Sequence, residues 1–119
     1  MIATLFDVST NGVAILIGLM AIDWITGVAG AIVNPKLYLN SMTGAKGIIK
    51  KFIMLCIVSA GHLIDLFLGT GFIQQAIVYA YVGNEGLSIL ENSAKCGLPV
   101  PKKIVNLLEQ LRGDNSVNN

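Results

Sequence analysis

A chain of 119 residues with 54% hydrophobic and only 13% charged side chains is one domain with too little charge to coat its surface in water, where about 25% is usual. Lipid is the solvent that fits this balance. A net charge of +1 excludes a global field for nucleic acid, and two cysteines without CxxC or metal spacing exclude a disulfide framework, leaving Cys56 and Cys96 as packing residues.

The first ten residues carry Asp7 and no Lys or Arg, unlike the start of a cleavable signal peptide. Residues 12–33 form an apolar stretch long enough to cross a hydrocarbon core of about 30 Å. Asn34-Pro35 stops it, because a residue before proline is pushed out of the α region. Residues 36–51 read as a polar loop with Lys36, Lys46, Lys50 and Lys51. A second apolar stretch covers 52–68, and Gly69-Thr70-Gly71 is a tight turn signal. The third stretch, 72–90, is weaker because it contains Gln74, Gln75, Asn84 and Glu85. Gly97 and Pro99 mark its end. Pro101 then opens a short amphipathic helix to about residue 112, with Ile104, Leu107, Leu108 and Leu111 on one face. The expected fold is all-α and membrane-embedded, with three transmembrane helices and a C-terminal cytoplasmic helix in a single domain.

The basic residues give the orientation. With three spans, the N-terminal tail and the Gly-Thr-Gly turn hold no Lys or Arg, and all eight basic residues fall on the opposite side. The positive-inside rule makes that side cytoplasmic, so the N-terminus is out and the C-terminus in. Lys46, Lys50, Lys51, Lys102 and Lys103 read as cytoplasmic basic anchors.

Charge inside a bilayer costs a few kcal/mol or more, so polar groups in the apolar stretches face a partner or water. Asp23, Gly27, Gly30, Ala31 and Asn34 share a small, polar stripe on the first helix that permits close approach of another backbone. Ser59, His62 and Asp65 repeat every third residue on the second, where His62 and Asp65 are near enough to pair. Tyr81, Glu85, Ser88 and Asn92 line a face of the third, with Asn84 and Glu91 beside it. Static packing is the favoured role for these groups over proton or ion handling, and Trp24 reads as a packing residue. No catalytic, cofactor-binding or metal-binding set is present. One histidine cannot make a zinc cluster, and GxSxG, HExxH, P-loop and GxGxxG patterns are missing. Ser59, His62 and Asp65 do not make a triad, because successive i+3 side chains on one helix point along a stripe rather than at one reacting atom.

Several ordered pieces carry a resemblance. They are Asp23-Trp24-Ile25-Thr26-Gly27, Leu39-Asn40-Ser41, the run from Gly44 to Lys51, Asp65, the run from Asn84 to Asn92, and Gly97-Leu98-Pro99-Val100-Pro101. Together, over about Asp23 to Leu111, they resemble the toxin-secretion and phage-lysis holin family, also called holin family 4. The poorly hydrophobic third stretch and the short, mildly charged tail depart from many members. The resemblance implies a non-enzymatic protein of a phage or prophage lysis cassette, without cofactors. Its partners would be the lipid bilayer of the host's cytoplasmic membrane and further copies of itself. Its lesions would release endolysin, or a toxin, without direct contact, and no nucleic acid is involved. Two other readings stay open on the residues: a small ion- or proton-conducting subunit titrating at Asp23 or Asp65, and an antiholin or membrane anchor for a partner protein.

Overall fold

The computed structural model describes residues 8–33 and 41–113, and among these all regular structure is helical. Four helices follow in order: α1 (Val8–Val33), α2 (Ser41–Leu68), α3 (Phe72–Lys95) and α4 (Lys102–Arg112). The Asn34-Pro35 stop, Asn34 of the small stripe, Lys36 and Asp7 lie outside the described residues. Two of the helices, over Gly12–Val33 and Gly44–Leu68, are long and apolar enough to cross a membrane, and most of each faces outward rather than into the bundle. The fold is therefore all-α with two candidate spans. α3 has the length, at 24 residues, but not the hydropathy.

The second span differs from its expected start at residue 52. The polar segment before it is helical from Ser41, so α2 is 28 residues long. Lys46 and Lys50 stay on its exposed side and do not interrupt it.

α3 is the hub. It packs against α1, α2 and α4, whereas α1 and α2 barely touch one another. α1 runs in the same direction as α3: Gly12 meets Val78 near one end, and Gly30 meets Asn92, Lys95 and Cys96 near the other. α2 runs antiparallel, with Gly61 against Gln74 and Ile77. This arrangement accounts for the low hydropathy of α3. A helix shielded by three neighbours meets little lipid and can carry polar groups that its neighbours satisfy.

The buried core is small, formed by Val13, Leu16, Met20, Met54, Val58 and Val78. Alongside it Asp65, Gln74 and Glu85 are also buried. Large apolar side chains lie outside: Ile32 is 71% exposed, Phe52 67% and Phe67 89%. Polar inside and apolar outside is the pattern of a bundle in lipid, since water would reverse both placements. Cys56 and Trp24, both read as packing residues, lie outside the buried core: Cys56 is exposed and Trp24 is 45% exposed. Trp24 instead borders an apolar groove of about 530 Å³ between α1 and α2, with Met20, Ile48, Phe52 and Leu55.

α3 ends where Gly97 adopts φ +90°. Leu98 N–H donates to the Ser93 carbonyl at 3.1 Å and Gly97 N–H to the Ala94 carbonyl at 2.9 Å, the two bonds of a Schellman cap. Pro99 and Pro101 then turn the chain so that α4 folds back along α3. The closest approach is at Gly83. A Cβ there would lie 2.6 Å from both the Arg112 nitrogen and the Leu108 carbonyl oxygen, so only glycine lets the backbones meet. Gly83→Ala should therefore lower the midpoint of thermal unfolding in detergent, at a cost of about 1–3 kcal/mol. Gly18→Ala, where nothing lies within 4 Å, should leave it unchanged or raise it slightly.

Candidate functional site

Three helices converge on one ammonium group. Lys51 Nζ on α2 donates to Asp23 Oδ2 on α1 and to Glu85 Oε1 on α3, each at 2.6 Å. The Lys51 side chain is 19% exposed, Asp23 13% and Glu85 2%. Asn92 of α3 closes the site from the other side. Its Nδ2 donates to Asp23 Oδ1 at 2.9 Å, to the Asp23 carbonyl at 3.1 Å and to Thr26 Oγ1 at 3.0 Å. Thr26 Oγ donates to the Ile22 carbonyl of its own helix at 2.8 Å. Asn84 Nδ2 approaches Glu85 Oε2 at 3.4 Å.

The local sequence explains the meeting. Asp23, Gly27 and Gly30 share one stripe of α1, and Gly27 and Gly30 leave room for Asn92 and for the end of α3. Glu85 and Asn92 lie seven residues apart, two turns along one face of α3. The small stripe expected to receive another backbone receives α3 of the same chain. Lys51 was grouped with the loop lysines as a basic anchor; the structure turns it inward as the bridge of this cluster. Its position directly after Lys50 hid this role, because successive helical residues point about 100° apart and only one of the pair can face α3. Lys46, Lys50, Lys102 and Lys103 are exposed, while Ser88 is half-buried and Glu91 exposed on α3.

A second polar site joins the other ends of α2 and α3. Buried Asp65 accepts from Thr70 Oγ at 2.6 Å, from the Ile73 N–H at 3.1 Å and from the Gln74 N–H at 2.9 Å. It thus satisfies two amide groups of the first turn of α3, which no side chain at the N-cap residue Gly71 can do. His62 interacts with Asp65 electrostatically, while the hydrogen bonds of those oxygens go to Thr70 and α3. Ser59 is exposed and donates to the Leu55 carbonyl at 3.0 Å. Two steps of i+3 drift around the helix, so Ser59 faces out while Asp65 faces in. Gln74 is buried, its Nε2 3.5 Å from the Val58 carbonyl.

Among the described residues no group of three His, Cys, Asp or Glu side chains could hold a metal ion. The Lys51 cluster fixes helices relative to one another, and its chemistry is that of a clamp. Lys51→Met would leave two facing carboxylates without their cation and should destabilise the bundle by about 3–5 kcal/mol, read from unfolding in mixed micelles. Adding Asp23→Asn and Glu85→Gln to the same chain should recover most of that loss. A triple variant no more stable than Lys51→Met alone would show that the ion pairs do not hold the helices.

A family model described as the bacteriophage holin family matches residues 1–113. The chain is 36% identical over 109 residues to an uncharacterized protein of Halalkalibacterium halodurans, covering 87% of this chain and 79% of that one. It is 38% identical over 92 residues to an uncharacterized 14.9 kDa protein of Clostridium perfringens, covering 76% and 68%. It is also 33% identical over 102 residues to a probable holin of Bacillus phage phi105, covering 85% and 74%. No solved structure matches. With its two lipid-compatible helices and a match over nearly its whole length, the chain belongs to the bacteriophage holin family.

Proposed function

We propose that this protein is a phage or prophage holin that accumulates in the cytoplasmic membrane of the bacterial host, assembles with copies of itself and opens lesions for endolysin or a toxin. In this reading all three long helices cross the membrane, N-terminus out and C-terminus in, and the chain performs no reaction. Endolysin passes through the lesion without docking on it.

The observation that carries the reading is the enclosed polar face of α3. Glu85 and Asn92 are satisfied within one copy by Lys51 and Asp23, so a single bundle presents apolar side chains to lipid and can accumulate without leaking. The same groups favour water once the helices part and several copies surround an aqueous opening. Holding α3 in place is therefore what separates the quiet state from the open one. The clamp need not be strong, because its rupture is followed by hydration of every group it held.

Inducible expression in a bacterium, with and without a co-expressed endolysin, tests this. Membrane potential should collapse abruptly after a delay in both strains, and the culture should clear only when endolysin is present. Lys51→Met should shorten the delay by weakening the closed bundle. Clearing without endolysin, or a steady potential throughout, would sink the proposal.

A further inference from the structure

The apolar face expected on α4 is divided in the structure. Leu108 lies over Gly83 and Gly86 of α3 and is half-buried. Ile104, Leu107 and Leu111 remain 43%, 57% and 42% exposed. At spacings i, i+3 and i+7 they form a second apolar stripe beside that contact, and the Cβ of Leu111 itself borders Gly83.

The level of α4 along the bundle points to what covers this stripe. Its last turn rests on Gly83, two residues from Glu85 and hence at the level of Lys51 of α2 along the bundle. A cleft of about 420 Å³ bounded by Ile53, Met54, Ile57, Ala80 and Arg112, with Lys50, Tyr81 and Asn84 also in its wall, joins that end of α4 to α2. Ile53 and Ile57 belong to the candidate span Gly44–Leu68 and are themselves 52% and 42% exposed. The end of α4 that carries Leu111 is therefore level with the outward apolar surface of a candidate membrane-spanning helix.

Charge gives the other half of the match. The opposite end of α4 begins with exposed Lys102 and Lys103, close in sequence to exposed Lys95 at the end of α3. Since α2 runs antiparallel to α3, exposed Lys46 near its start belongs to the same end of the bundle. Lysines at one end and an apolar stripe leading away from them fit a leaflet with anionic headgroups above acyl chains. The eleven residues of α4 rise about 16 Å, enough to run from headgroup level into that leaflet.

We infer that α4 is a lipid-contacting helix, not a detached cytoplasmic tail: Ile104, Leu107 and Leu111 meet acyl chains, and Lys102 and Lys103 meet anionic headgroups. This rests on the membrane reading given above. It gives α4 a place as the third wall around α3, shielding the bare backbone at Gly83 and Gly86 from lipid.

The full chain reconstituted in phosphatidylglycerol and phosphatidylcholine vesicles, with and without bromine on the acyl chains, provides the test. Trp24 is the sole tryptophan and lies in the candidate span Gly12–Val33, so its quenching reports on the membrane reading. In a Trp24→Phe background, Leu107→Trp should be quenched at least about twofold more strongly than Asn106→Trp, which points roughly 100° away. Ile104→Trp serves as the second reporter where Leu107→Trp fails to insert, with the same expectation. Quenching at the stripe no stronger than at position 106, including protection of the stripe by a second copy, overturns the inference. If Trp24 is quenched in that case, only the inference falls; if Trp24 is also unquenched, the membrane reading falls with it.

Discussion

Lys51 is a cation that two other helices share. Its ammonium joins Asp23 of α1 to Glu85 of α3 while its own backbone belongs to α2, so a single side chain ties all three long helices together. In water such pairs contribute little, because solvent competes for every charge. Inside an apolar bundle the alternatives are worse: each group released without a partner faces a large desolvation cost. The positions of α1 and α2 on α3 follow from this constraint. Asn92 adds a second fastening on α1 and Asp65 a second on α3, near opposite ends.

The rest of the bundle inverts the usual distribution. Aromatic and branched side chains cover the outside, and carboxylates, amides and a lysine occupy the middle beside a small apolar core. α3 concentrates this polarity because three other helices enclose it. The glycines at 27, 30, 61, 83 and 86 bring neighbouring helices close enough for short side chains such as Asp23 and Asn92 to reach one another. Packing of this kind depends on shape and hydrogen bonds, since hydrocarbon offers no hydrophobic gain for bringing helices together.

Much of the helical framework was legible in the sequence. Gly69-Thr70-Gly71 and the Gly97 to Pro101 segment punctuate the chain where the structure turns, because glycine and proline act on the backbone locally. The stripe through Asp23, Gly27 and Gly30 was readable for the same reason, since periodicity places residues on a common face. Partnerships across helices were less accessible. Lys51 looks like its neighbour Lys50 until α3 supplies a carboxylate on one side only. Asp65 appeared suited to His62, three residues away, yet the turn at Gly69 brings unpaired amides of α3 closer to need. The apolar face of α4 seemed single because a periodicity records which residues are oily and not which of them a glycine in another helix will admit.

The sparse contact between α1 and α2 has a mechanical consequence. A three-helix bundle with all faces joined resists opening along three seams, but here one seam is sparsely packed, bridged by Lys51 and Asp23 and bordered by Trp24, Ile48 and Phe52. Displacing α3 would leave the outer helices joined chiefly through the Lys51–Asp23 pair. The work of parting the bundle is thus concentrated on a single strut, and a modest push on it would act on the whole.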